Sequence, residues 1–180
     1  MAHIELGNDG PGIRGLLAYR PESARPVTEL CEMLLRGDNT LSRGERELIA
    51  AYVSRLNECD FCANSHGVCA ALQLPGGAEQ VGQVLSGAPG GEPVSGKLSA
   101  LLDIAGLVQL GGRMVTEESV AKARAAGATD VEIHDTVLIA AAFCMLNRYV
   151  DGLAAPTPGD PAQYAAMGDR LVREGYLGPR

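Results

Sequence analysis

The sequence predicts an all-α protein, and three observations carry that expectation. Apolar residues recur at spacings of three and four through most of the chain, and no stretch alternates apolar with polar as a half-buried strand would. The interior must be filled by Ala, Leu and Val, because the chain is 46% apolar but only 4% aromatic and has no Trp. Small side chains of that kind suit closely packed helices better than sandwiches or barrels. At 180 residues the chain is long enough for one domain with a real core.

Taken in order, residues 1–25 are rich in Gly and Pro and read as mostly irregular, with a short turn at Ile13 to Tyr19. Val27, Leu30, Cys31 and Leu34 then keep helical spacing until Gly37. Cys31 falls on the apolar face and reads as a core thiol. Ser42 and Glu45 form a capping box that opens a helix to about Asn57, a residue tolerated as a left-handed stop. The next helix spans about Cys59 to Leu72, with Asp60 at its positive end and Pro75-Gly76-Gly77 beyond it.

A short helix is expected around Glu79 to Leu85, then a Gly- and Pro-rich connector over 86–93. That connector lacks the Gly-Lys-Ser/Thr ending of a phosphate cradle. Leu98 to Val108 reads as a helix ending at Gly111-Gly112. Thr116 caps another that Gly127 closes. Thr129 and Glu132 form a second capping box before a long helix from Ile133 to about Val150. His134 near its start reads as exposed or capping, Cys144 as core, and His3 as part of a loose terminus. Asp160-Pro161 starts an amphipathic last helix through Tyr164, Met167 and Leu171. The C-terminal helix and tail occupy 155–180, and the tail is expected to dock on a neighbouring subunit.

Leu138 to Asn147 repeats Leu48 to Asn57 at an offset of ninety, with six of ten positions identical. An internal duplication leaves that pattern, although Ala-rich helices also coincide by chance. Tyr149 and Gly152 then stand where the first copy has Cys59 and Cys62.

Charge and hydropathy exclude several classes. Net charge is −7 with Lys and Arg scattered, so neither nucleic acid nor an anionic membrane surface is an expected partner. The longest apolar run, Val137 to Leu146, is too short to span a bilayer. The first residues carry neither a basic nor an apolar leader region. A cytoplasmic location is therefore expected, where a Cys-x-x-Cys is redox-active or metal-binding rather than a structural staple.

The chemistry concentrates in residues 47–66. Cys59, Cys62 and His66 can share one helix face, with His66 a turn beyond Cys62. A histidine there can move a proton at the Cys62 sulfur, and thiolate is the nucleophile. Glu47 lies twelve residues before Cys59 in a strip with Ala50, Ala51 and Ser54. A carboxylate among small side chains is a candidate for a perturbed pKa. Its plainer alternative is a surface pair with Arg43 at i−4. Cys59, Cys62, His66 and Cys69 can be read as four zinc ligands, but along one helix Cys59 and Cys69 would stand ~15 Å apart. Zinc needs its ligands within about 2.3 Å. Cys69 therefore reads as core, and no metal is expected.

The order Glu47-(x11)-Cys59-x-x-Cys62-x-x-x-His66, with Ser54-Arg-Leu-Asn57 leading in, resembles the alkylhydroperoxidase D (AhpD) family of the carboxymuconolactone decarboxylase superfamily. It is similar in style to the peroxidase-related branch. The resemblance spans about residues 11–155, and its specific part is the twenty residues from Glu47. It implies an AhpD-like helical bundle that reduces hydroperoxides, with Cys62 attacking peroxide, Cys59 resolving, and Glu47 and His66 relaying protons. It also implies an external dithiol reductant, no bound cofactor, and a homo-oligomer such as a dimer, trimer or hexamer. Characterised peroxidases often carry a histidine between the cysteines, where this chain has Phe61. Two alternatives stand beside this reading. One is a decarboxylase acting on a small lactone acid through Glu and His, and the other is a non-catalytic redox sensor or interaction module. Arg148, in the Asn147-Arg148 pair followed by Asp151, also resembles the family and reads as an anchor.

Overall fold

The computed structural model describes residues 2–87 and 94–178. Among them every regular element is helical. In chain order these are α1 (Ile13–Tyr19), α2 (Pro21–Arg36), α3 (Arg43–Leu56), α4 (Asp60–Ala71), α5 (Gly77–Ser86) and α6 (Gly96–Leu110). A 3₁₀ turn at Gly112–Met114 precedes α7 (Glu117–Ala125), α8 (Asp130–Gly152) and α9 (Pro161–Glu174). Most of the connector expected at 86–93 lies outside the described residues. Among the described residues no helix is long and apolar enough to cross a membrane.

Local chemistry sets the helix starts. Ser42 with Glu45 and Thr129 with Glu132 form reciprocal capping boxes, as the sequence predicts. Thr116 with Ser119 makes a third, and the Asp160 carboxylate accepts from Ala162 N ahead of Pro161. Each satisfies N–H groups that a helix start would otherwise leave unpaired.

The N-terminal segment departs from the expected irregular 1–25. The turn at Ile13–Tyr19 is a full helix, and α2 begins at Pro21 rather than near Val27. Proline suits the first helical position, whose N–H has no partner in any case. Pro26 then sits inside α2, where its missing N–H costs the helix a backbone hydrogen bond. The terminus is also tied down: His3 N donates to Leu153 O at 2.9 Å, and Gly12 N to Pro156 O at 2.8 Å.

The long α3–α4 pairing forms the centre. α6 and α8 cover α3, while α5 and α9 cover α4. Leu48, Ile49, Val53, Leu101, Ile104, Ile139 and Phe143 belong to the main core. A second cluster gathers Leu16, Phe61, Val150 and Tyr164 around Cys59 and Cys62. The fold thus encloses the cysteine pair in its own apolar shell, apart from the main interior.

The two repeat-related segments pack on each other as α3 and the middle of α8. Asn147 Nδ2 donates to Ser54 Oγ at 3.0 Å, and Asn57 Nδ2 points at Cys144 Sγ at 3.5 Å. Position 144 corresponds to 54, and 147 to 57, so each copy offers the same pair of sites to the other. The copies diverge beyond the asparagines. α8 continues through Tyr149 and Gly152, whereas α3 stops and turns.

Candidate active site

The turn between α3 and α4 places the first sulfur. Glu58 N donates to Arg55 O and Cys59 N to Ser54 O, both at 3.0 Å, which is the Schellman pattern of a helix end. Its left-handed residue is Glu58, at φ 60°, rather than the expected Asn57, which stays helical at φ −82°. Asn57 spends its side chain on α8 instead, donating to Asn147 Oδ1 at 2.8 Å. Cys59 then serves as the N-cap of α4, and Cys62 lies in its first turn, where the helix dipole favours negative charge.

Both thiols are free and buried, Cys59 fully and Cys62 to 4% exposure. The Cys62 thiol titrates below its usual range. The largest cause is a hydrogen bond from the Cys59 thiol, and burial opposes the shift; the positive charge of His66 and a hydrogen bond from Asn147 add to it. Cys59 moves the other way, because it gives its proton to Cys62 and is buried. The pair is thus polarised toward a thiolate on Cys62.

Glu47 is 3% exposed, so its surface pairing with Arg43 does not occur. Its Oε2 lies 2.7 Å from His66 Nδ1, joining α3 to α4. Burial disfavours a charged His66, but Glu47, by charge and by hydrogen bond, raises its pKa above the ordinary value; a Cys62 thiolate adds to this. The Phe143 ring meets the imidazole edge-on, with centroids 4.5 Å apart at 84°. All four residues predicted for the site therefore meet around the start of α4, in two linked pairs.

Two further residues join them. Asn147, on α8, favours the Cys62 thiolate, as noted. Tyr176, from the tail, donates its hydroxyl to Glu47 Oε1 at 2.6 Å. The tail thus folds onto its own chain rather than reaching outward. Asn147 is traceable in the sequence, as the repeat-mate of Asn57. Tyr176 is not, because it lies 129 residues from its partner in a Gly-rich tail with no period.

Phe61 belongs to the same apolar cluster as the two cysteines, and its ring lies 6.1 Å from that of Tyr164. Beside it a cavity of roughly 120 Å³, lined in part by Ile13, Leu17, Phe61 and Leu171, reaches His66 and Tyr176. Cys31, Cys69 and Cys144 are all buried, and burial pushes the Cys31 thiol up to about 12. Among the described residues no three His, Cys, Asp or Glu side chains gather as they would around a metal ion.

The site thus combines a buried pair of free thiols with a buried Glu–His pair in an all-helical fold. Residues 21–89 match the model of the carboxymuconolactone decarboxylase family. Among solved structures, an uncharacterized peroxidase-related protein from Ralstonia eutropha JMP134, described as an alkylhydroperoxidase AhpD core, is 26% identical. It superposes with a TM-score of 0.77 over 88% of this chain and 80% of that one. An uncharacterized peroxidase-related protein from Silicibacter sp. TM1040 has the same fold, at 24% identity and TM-score 0.75 over the same shares. Comparison with curated proteins finds none that matches. The family match thus covers α2 to α5, including the Cys59–Cys62 pair and its Glu47–His66 neighbour, and the helical fold as a whole is that of these AhpD-like structures.

Proposed function

We propose that the protein is a thiol-dependent peroxidase acting on hydroperoxides. The observation that carries this reading is the junction of a reduced Cys59–Cys62 pair, polarised toward Cys62, with the buried Glu47–His66 pair. The Cys62 thiolate attacks the outer peroxide oxygen and breaks the O–O bond. His66 gives a proton to the departing alkoxide, so the products are an alcohol and a Cys62 sulfenic acid. Cys59 attacks that sulfur, forming the disulfide and releasing water. The Cys59 thiol proton leaves with the hydroxide as that water; His66 regains its proton when the disulfide is reduced, and Glu47 supports the charge. An external dithiol then reduces the disulfide by exchange and is itself oxidised.

The test is turnover of an alkyl hydroperoxide with a dithiol reductant in wild type, Cys62→Ser and Cys59→Ser. The Cys62 variant is expected to be inactive. The Cys59 variant is expected to consume about one equivalent and stop at the sulfenic acid. Equal turnover in wild type and Cys62→Ser would end this reading. The family match also keeps a decarboxylase in view, acting through Glu47 and His66 on a small lactone acid. Decarboxylation that survives alkylation of both cysteines would favour it.

A further inference from the structure

We propose that Tyr176 is a positioning residue: its hydroxyl, donated to Glu47, fixes Glu47 as the acceptor of His66 Nδ1–H and leaves Nε2 to exchange the proton with Cys62. This rests on the relay described above.

The geometry is specific. Glu47 Oε1 accepts from Tyr176 at 2.6 Å, and Oε2 faces His66 Nδ1 at 2.7 Å. The hydroxyl stands farther from Nδ1, at 3.4 Å, so its proton belongs to the carboxylate. With both oxygens accepting, Glu47 has no proton of its own to give. Nδ1 must then be the protonated nitrogen of a neutral His66. The phenol keeps its proton, since burial and the Glu47 charge push its pKa well above the usual value. Among the described residues His66 is hydrogen-bonded through Nδ1 alone, and the imidazole borders the cavity.

The tail is built to hold this hydroxyl in place. Tyr176 N donates to Glu32 Oε2 at 2.8 Å. Arg36, itself paired with Glu32, donates to Leu171 O and Val172 O at the end of α9. Gly175 adopts φ 80°, and a Cβ there would come within 2.6 Å of Glu32 Oε2. The Tyr176 ring lies nearly parallel to that of His66, 14° apart with centroids at 6.2 Å. A phenylalanine would supply that ring equally well, so the hydroxyl is the part that speaks for positioning. The other titratable or charged groups around the trio are Cys62 and Cys69 from α4, and Cys31, Glu32 and Arg36 from α2; Arg14 from α1 and Arg170 from α9 line the cavity that His66 and Tyr176 border.

Two measurements test the proposal, and neither needs peroxide turnover. The first is the pH profile of iodoacetamide alkylation at Cys62, read by mass spectrometry. Y176F is expected to move the midpoint by about half a pH unit or more, roughly threefold in rate at a fixed pH on the flank. The shift should vanish when Y176F is made in an E47Q background. Superimposed profiles, or a shift that persists with E47Q, would overturn the proposal. The second is the ¹⁵N chemical shifts of the wild-type His66 ring, which need no variant to fold. The neutral form is expected to carry its proton on Nδ1, and a proton on Nε2 would overturn the assignment. A wild type that shows both signatures but no peroxide turnover would remove the peroxidase reading and leave Tyr176 in its role.

Discussion

Asn57 and Asn147, ninety residues apart, share a 2.8 Å hydrogen bond at the seam between α3 and α8. Asn147 is fully buried, donates to Ser54 Oγ and favours the charged form of Cys62. It therefore links the packing of the repeat to the chemistry of the site.

Asn147→Ala should destabilise the protein by about 1–3 kcal/mol, the cost of leaving buried polar partners unpaired. It should also raise the Cys62 pKa. Urea denaturation checks the first effect, and the pH profile of Cys62 alkylation checks the second. Asn57→Ala should cost less, since Asn57 is only part-buried.

His66 imposes a pH dependence on stability. Its folded pKa lies above the ordinary value, with Glu47 overcoming the opposing effect of burial. That contribution is present below the unfolded pKa of about 6.5. It is lost as pH rises through the higher folded value. Urea midpoints should thus fall above about pH 6.5 in wild type. The same fall should be much reduced in His66→Gln.

Glu132 acts at the other end of the scale. Burial disfavours its charge, but Lys97, Thr129 N–H and Thr40 hold its pKa down to about 2. Its stabilisation is complete above the unfolded carboxylate value and lost as pH falls from there toward about 2. At neutral pH it amounts to something on the order of 3 kcal/mol. Glu132→Gln should therefore lower stability at pH 7 and flatten the acid limb of the stability curve, as followed by circular dichroism.

Glu58 carries a side chain at φ 60°, in the region that favours glycine. Glu58→Gly should raise stability by up to about 1 kcal/mol by relieving that strain, less what the freer unfolded chain gives back. Thermal melting measures the change. Cys62 alkylation should stay as in wild type if the turn keeps its shape.

Much of this was legible in the sequence because it is local. Ser42 with Glu45 and Thr129 with Glu132 announce helix starts within four residues, and the Cys59, Cys62, His66 spacing announces a shared face. Glu47 reached its predicted partner because α3 and α4 are consecutive and joined by a tight turn. Three features were less accessible. Asn57 has the usual preference for a left-handed stop, but its bonds to α8 and Gln109 keep it helical and pass that conformation to Glu58. Pro26 looks like a helix break, yet α2 starts at Pro21 and runs through it. Tyr176 reaches Glu47 only through tertiary folding of the tail, for which no spacing rule exists.

Gly12 lies against the face of Phe61 so closely that a Cβ there would sit 2.3 Å from the ring. The N-terminal strand of chain is in effect a roof resting on the residue between the two sulfurs. Any larger residue at position 12 would drive its side chain into that ring and strain a backbone held at φ 52°, so this roof keeps its seat over the cysteine turn only as glycine.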